Sequence, residues 1–127
     1  VQIDERVKEV RFGAWEGKTG AQIRTEQPAA LSDFYHDPVH ARPADAEPLD
    51  AFHKRVGEAL NEVLDRNQGK HVLVVTHAGV IRSAIAHAMQ APRHAIYRIN
   101  VDNAGISRLR QTSERPLSLI FHGRFSA

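Results

Sequence analysis

Residues 72–82 read Val-Leu-Val-Val-Thr-His-Ala-Gly-Val-Ile-Arg, and this stretch decides the fold class of the chain. Its first four residues form an unbroken apolar run rich in β-branched side chains. Because the run does not alternate with polar residues, it predicts a strand covered on both faces. A tight turn from Thr76 to Gly79 follows, and a helical apolar pattern begins near Ile81. Strand, glycine turn and helix in this order are typical of an α/β protein.

The residues before this stretch predict further helices. One amphipathic helix runs from Leu49 to near Asn67, with Gly69 placed as its terminating cap, because apolar side chains recur at helical spacing at Leu49, Phe52, Val56, Leu60, Val63 and Leu64. Two shorter helical stretches, around Ile23 and around Leu31, are separated by Pro28. The three prolines between Asp37 and Pro48 indicate a surface loop or lid.

The residues after it predict a second helix and then strands. The helix stops near Pro92, and strands are expected at Tyr97 to Val101, Ile106 to Arg110 and Leu117 to Phe121. The link from Thr112 to Pro116 has hairpin length, so the last two strands are expected to pair antiparallel.

Composition excludes several classes of protein. A chain of 127 residues with 42% hydrophobic and 25% charged residues has the size and composition of one globular domain. A net charge of +2, with mixed signs, gives no nucleic-acid footprint, and zero cysteines exclude disulfides and thiolate metal sites. Apolar runs are too short to span a bilayer, so we expect a cytoplasmic protein without membrane partners. The opening Val1-Gln2-Ile3 lacks an initiator methionine, which suggests a chain cut inside a domain.

His77 lies where ligands bind in open α/β sheets, at the carboxyl end of a strand. Small residues follow it and a helix begins, so backbone N–H groups and a partial positive charge favour an anion there. A histidine can also donate a charge-assisted hydrogen bond to a phosphoryl oxygen. The alternative is a histidine that only caps the strand end, and periodicity alone leaves both interpretations open.

Two motifs identify a family resemblance. The string from Val74 to Arg82 resembles the second histidine motif of the histidine phosphatase, or phosphoglycerate mutase-like, superfamily. The stretch from Val7 to Gly17, Val-Lys-Glu-Val-Arg-Phe-Gly-Ala-Trp-Glu-Gly, resembles the family's acid motif. The resemblance implies a three-layer α/β/α fold with a mostly parallel sheet and helices on both faces, truncated at the N-terminus. Residues 1–127 would then be the C-terminal portion of a single domain.

The connecting region narrows the resemblance to one branch. Phe34-Tyr35-His36-Asp37-Pro38, the Pro43 to Glu47 loop and the helix carrying Arg55 are similar to the short connection of α-ribazole phosphatases. The implied function is hydrolysis of a small phosphorylated metabolite, α-ribazole 5′-phosphate, in cobalamin biosynthesis, with no cofactor and no metal. A phosphoglycerate mutase-like enzyme is the alternative within the family.

The resemblance also assigns roles to residues. Glu9 matches the family's proton donor, His77 its second active-site histidine, and Ala78 the residue whose backbone N–H binds phosphate. Arg82 is expected to be an ion-pairing scaffold residue and Asn103 a structural turn residue. For Glu16 two roles stay open, since it either orients the acid loop or touches the substrate.

The family's first motif, an Arg-His-Gly turn that supplies the nucleophile, does not occur in this sequence. The chain alone is therefore expected to be inactive. His122-Gly123 follows an apolar run, but Phe121 precedes it instead of arginine, so an ordinary terminal strand is the favoured interpretation over a circularly permuted nucleophile.

Two further hypotheses follow from the residues. A binding module that keeps the anion pocket without chemistry is the main rival, and a zinc site is a weaker one, built from His36, Asp37, His40 and His53. If a strand beside Val72 to Val75 is supplied from elsewhere, the isolated chain exposes an apolar edge, and we expect a homo-oligomer formed by strand exchange.

Overall fold

The computed structural model describes residues 1–126. Its regular elements are the helices α1 Gly20–Glu26, α2 Pro28–His36, α3 Leu49–Arg66 and α4 Ala78–Ala88 and the strands β1 Ile106–Arg110 and β2 Ser118–Arg124. Short 3-10 helices lie at Glu5–Val7, Gly13–Trp15 and Arg93–Arg98. The predicted helices are confirmed, including the break at Pro28, which is the first residue of α2. The predicted end of α3 is confirmed as well, since Asn67 is its C-cap.

The main core lies where α3 packs on α4. It follows from the apolar spacing of both helices, which places the large side chains of each on the face toward the other. The buried members of this cluster are Val10, Leu49, Phe52, Val56, Val80, Ala86 and Ile96. Val10 comes from the acid motif, so this core also anchors the segment that carries Glu9.

A second, aromatic cluster fixes the two short helices. Its buried members are Trp15, Ile23, Leu31 and Phe34. The rings of Phe34 and Tyr97 meet edge to face with centroids 4.7 Å apart, and Phe12 contacts both rings. The acid motif is thereby packed against α2 and against the 3-10 helix Arg93–Arg98.

The C-terminal hairpin confirms the predicted antiparallel pair. β1 pairs with β2 through Leu109 opposite Leu119 and Arg110 opposite Ser118, with register shifts near Arg108. β1 has the predicted bounds, whereas β2 continues to Arg124, beyond the predicted end at Phe121.

Val72 to Val75 differs from the prediction. The four residues belong to no strand, and their exposed fractions lie between 47% for Val74 and 85% for Val75. The prediction of a strand covered on both faces is wrong for residues 1–126, because none of them pairs with this run. Within that range the sheet is the β1–β2 pair alone, so the predicted parallel sheet is not formed there.

The predicted strand from Tyr97 to Val101 is also wrong. Pro92 starts the 3-10 helix Arg93–Arg98, which closes onto the core through Ile96, fully buried, and sends Tyr97 into the aromatic cluster. The β-branched and aromatic residues there serve packing of a compact turn, which a period-two pattern cannot distinguish from a short strand.

Candidate active site

The turn after Val75 ends at His77, which is the N-cap of α4 with extended backbone angles (φ −117°, ψ 162°). Its side chain is exposed and makes no capping hydrogen bond. Ala78 and Gly79 are the first residues of α4, so their N–H groups belong to the helix end that carries partial positive charge. The imidazole can face an anion at this helix end.

Glu9 lies at the same helix end. Its Oε2 accepts a hydrogen bond from the Gly79 N–H at 3.1 Å, and its Oε1 accepts one from the Val10 N–H at 2.9 Å. The acid motif and the histidine turn are 70 residues apart in sequence, and this contact brings them together. The Oγ1 of Thr76 adds a second tie, because it donates to the Val7 carbonyl at 2.6 Å.

Arg55, from α3, holds the backbone that leads to Glu9. Its Nη1 donates to the carbonyls of Arg6 and Lys8 at 2.7 and 2.9 Å, and its Nη2 donates to the Glu9 carbonyl at 3.2 Å. The guanidinium also binds both carboxylate oxygens of Glu47 at 2.9 Å. Arg55 lowers the pKa of Glu47 by these hydrogen bonds, against the opposing effect of burial.

The sequence places Arg55 in the connecting helix, but this clamp could not be predicted, because the carbonyl groups that Arg55 binds lie 46 to 49 residues away. The available signal was a single arginine facing the inner side of an amphipathic helix, which is uncommon without a partner.

The acid loop and the lid loop are tied to each other. Ala14 N–H donates to the Ala44 carbonyl at 2.9 Å, and Glu47 N–H donates to the Arg11 carbonyl at 2.8 Å. Gly13 makes this approach possible, since its φ is +53° and an added Cβ would overlap the Ala44 carbonyl oxygen. Glu16 Oε1 accepts the Phe12 N–H at 2.6 Å, a contact within the acid loop.

Arg42 and Tyr97 meet beneath this loop pair. The Arg42 guanidinium lies 5.7 Å from the ring centroids of both Phe12 and Phe34. Within residues 1–126, the Arg42 Nη2 and the Tyr97 hydroxyl are buried without a hydrogen-bond partner. Burial raises the pKa of Tyr97, and the nearby Arg42 opposes that rise.

Arg82 and Asn103 have structural positions. Arg82 Nε donates to the Ile99 carbonyl at 2.8 Å, and it makes no ion pair with any of residues 1–126, so the expected ion-pairing role is corrected to a backbone contact. Asn103 is exposed in a turn closed by the Gly105 N–H and the Asp102 carbonyl at 3.1 Å.

The histidines proposed for zinc are not gathered. His40 Nδ1 contacts the Asp37 carboxylate at 3.1 Å, whereas His36 Nδ1 donates to the Ser32 carbonyl at 2.8 Å. His53 Nδ1 lies 2.7 Å from the Ser83 hydroxyl on α4. In the part of the chain that the structure describes, no three His, Cys, Asp or Glu side chains form a metal-binding group.

His122 lies inside β2, where its ring contacts the Ser107 hydroxyl at 2.7 Å and the Asn100 carbonyl at 2.6 Å. A histidine held in this way does not follow a strand end, so the favoured interpretation of an ordinary strand fits.

Two cavities lie away from Glu9 and His77. One of about 400 Å³ is bordered by His53, Asn61 and His87 among others, and one of about 300 Å³ by Trp15, Gln27 and Arg42. Glu9 and His77 line neither of these two cavities. No helix of residues 1–126 has the length and apolarity needed to cross a membrane.

Comparison with known proteins gives a consistent set of matches. Residues 1–121 match the family described as "Histidine phosphatase superfamily (branch 1)". The chain is 30% identical over 102 residues to the adenosylcobalamin/alpha-ribazole phosphatase of Escherichia coli, covering 80% of this chain and 50% of that protein. It is 29% identical over 86 residues to a metal-independent phosphoserine phosphatase of Arabidopsis thaliana, covering 67% and 36%.

Solved structures agree. The YhfR structure from Bacillus stearothermophilus superposes with a TM-score of 0.79 at 26% identity, covering 98% of this chain and 60% of that one. The match confirms the predicted class, a phosphoglycerate mutase-like α/β fold. The chain spans 50% of the E. coli relative and 60% of YhfR, so both relatives contain further residues that this chain does not match.

Proposed function

Since this chain belongs to the histidine phosphatase superfamily, we propose that it forms the C-terminal portion of a phosphoric-monoester hydrolase domain. The proposal rests on one observation, the hydrogen bond between the Glu9 carboxylate and the N–H of Gly79, which lies two residues after His77. It supports one site in which His77 and the Ala78 N–H bind phosphate while Glu9 serves as proton donor. Arg82, Glu16 and Asn103 support the loops around it.

The proposed reaction has two displacements. A nucleophilic histidine attacks phosphorus, the P–O bond to the leaving group breaks, and the leaving alkoxide takes the Glu9 proton. Water then attacks the phosphohistidine and gives a proton to the Glu9 carboxylate, the P–N bond breaks, and phosphate leaves while the free histidine and the Glu9 carboxylic acid are regenerated. His77 donates hydrogen bonds to the phosphoryl oxygens on which charge accumulates. We propose that this chain uses no cofactor or metal for these steps.

The nucleophile is proposed to come from residues outside this chain. None of its eight histidines stands between an arginine and a glycine, as the family's first motif requires. The incomplete coverage of the relatives supports this proposal, since they contain additional residues. The chain is accordingly expected to be inactive by itself.

The proposed substrate is α-ribazole 5′-phosphate. Support comes from the identity to a protein named an adenosylcobalamin/alpha-ribazole phosphatase and from the short connection between α2 and α3. Phosphoserine is the second candidate, favoured by the identity to a phosphoserine phosphatase, and a mutase-like activity is the third.

The test is an assay of p-nitrophenyl phosphate with this chain alone and with a polypeptide that supplies the Arg-His-Gly segment, fused or added. We expect turnover only in the completed domain and a loss of about 10²- to 10⁴-fold in kcat for Glu9→Gln. Phosphate binding without turnover in the completed domain would favour the inactive binding module. A panel of α-ribazole phosphate, phosphoserine and 3-phosphoglycerate then ranks the substrates by kcat/KM.

We also propose a cytoplasmic protein that associates through Val72 to Val75. The exposed fractions of Leu73 and Val75 are 84% and 85%, and an extended apolar run with unpaired backbone is a template for another strand. Light scattering of the isolated chain should give at least a dimer mass. A monodisperse monomer at micromolar concentration would contradict this association and leave the active-site proposal untouched.

A further inference from the structure

Gly79 lies in direct contact with the Glu9 side chain. A Cβ built on Gly79 would stand 3.1 Å from Glu9 Cδ and 3.4 Å from Oε2, and would overlap Oε1. The neighbouring atoms are a carboxylate held by two backbone N–H groups, at Val10 and at Gly79 itself. The Glu9 carboxylate therefore occupies the space that a side chain at position 79 would fill.

The backbone beneath Glu9 has little freedom to yield. Val10 is 4% exposed in the core, and Arg55 Nη2 binds the Glu9 carbonyl at 3.2 Å. Thr76 ties the Val7 carbonyl to the turn before α4 at 2.6 Å. Because these contacts hold the main chain on both sides, a group at position 79 can displace only the Glu9 side chain.

The carboxylate also occupies the place that an anion would use. Phosphate at the α4 end would require the N–H groups at the start of the helix, and one of them already donates to Glu9 Oε2. Glu9 and a bound phosphate would compete for that donor, and their like charges repel each other.

From these contacts we propose that Gly79 is a positioning residue that seats the Glu9 carboxylate on the α4 amide, and that an incoming phosphate displaces it. This inference rests on the proposed phosphatase site, which it deepens. While seated, Glu9 screens the helix end. After displacement, its side chain remains tethered beside the bound phosphate, where the leaving group departs.

Isothermal titration of inorganic phosphate into the full 127-residue chain tests the displacement. Glu9→Gln keeps the shape and removes the competing charge, so the Kd for phosphate should fall by about threefold to tenfold. Glu5→Gln is the matched control, since it removes one charge from an exposed side chain four residues before Glu9 and should change Kd by less than about 1.5-fold.

Amide NMR tests the role of Gly79. Glu9→Gln should move the residue-79 amide signal strongly, because a charge-assisted hydrogen bond is lost. When Glu9→Gln is added to Gly79→Ala, the residue-79 amide signal should hardly move. When Glu9→Gln is added to Gly20→Ala, the signal should move as far as it does in the wild type. Gly20 is the control because an added Cβ there meets nothing within 4 Å. Dispersed spectra of every variant establish that each one folds.

The possible results separate the displacement, the positioning role of Gly79 and the anion site from one another. If Glu9→Gln binds phosphate no more tightly than the wild type, the displacement is overturned. The proposed site still stands in that case if His77→Ala abolishes phosphate binding. Persistence of the Glu9 effect in the Gly79→Ala background overturns the positioning role. Absence of phosphate binding in the wild type and in Glu9→Gln removes both the displacement and the anion site.

Discussion

The residues on the two sides of His77 have opposite environments although they belong to one motif. After His77, α4 buries Val80 and Ile85, which are 3% and 2% exposed, and Val80 belongs to the core that α4 shares with α3. Before it, Val75 is 85% exposed in a run of the same apolar character. The helix finds its partners among residues 1–126, whereas the extended run has none there. Apolar sequence therefore predicts a need for burial, and the presence of a partner decides whether the need is met.

The largest effect should appear in a matched valine pair, one valine from the core that α3 shares with α4 and one from the exposed run before His77. Val56→Ala removes two methyl groups from a residue that is 1% exposed and should lower the free energy of unfolding by about 2 kcal/mol. In chain diluted to the monomer, Val75→Ala removes the same atoms from a residue that is 85% exposed and should change this free energy by less than about 0.5 kcal/mol. Urea denaturation measures both changes in the free energy of unfolding, provided that the variants have the m-value of the wild type. An equal loss for Val75→Ala in the monomer would contradict the exposure of this residue, whereas a loss that appears only at higher concentration would report the proposed association through Val72 to Val75.

The ion pair between Arg55 and Glu47 should make the stability of the fold depend on pH. Arg55 lowers the pKa of Glu47 below its ordinary value near 4.5, so the folded state binds this proton more weakly than the unfolded state. The stabilisation is fully present above that value and is lost as pH falls through the lowered pKa. We expect Glu47→Gln to remove on the order of 1 kcal/mol at pH 7 and to flatten the acid limb of the stability curve. An unchanged acid limb would show that the ion pair does not form.

A smaller effect should come from the α3–α4 interface. Burial lowers the pKa of His53 below 6.5, and the charge of His87 lowers it further, while Asp50 opposes both. The unfolded state therefore takes up the proton first, and stability falls as pH drops below about 6.5. His53→Gln should reduce the Tm difference between pH 7.5 and pH 5.5 by about 1 to 2 °C. His94→Gln, at an exposed histidine, is the control and should leave that difference unchanged.

Local patterns predicted what depends on neighbouring residues. The bounds of α3, the break at Pro28 and the β1–β2 hairpin follow from periodicity, proline and loop length. The exposure of Val72 to Val75 could not be predicted in this way, because β-pairing is a property of two segments and apolar spacing describes only one. The compact turn around Tyr97 was missed for a related reason, since its packing against Phe34 is tertiary.

The candidate site shows the same distinction between features that depend on neighbouring residues and features that depend on distant ones. Strand-turn-helix spacing alone placed His77 at a helix start, and α4 begins at Ala78. The pairing of Glu9 with this turn came from the family resemblance, because no periodicity relates residues that are 70 positions apart. The Arg55 clamp and the Gly79 contact lie beyond both sources, since each depends on atoms from segments distant in sequence.

The most direct measurement is a crystal structure of this chain grown or soaked with phosphate. We expect the anion at the start of α4, within about 2.7–3.2 Å of the Ala78 and Gly79 N–H groups and of a His77 ring nitrogen, with the Glu9 carboxyl moved off the Gly79 amide but still beside the anion. Glu9 and His77 facing different surfaces, with phosphate bound elsewhere or not at all, would contradict the account.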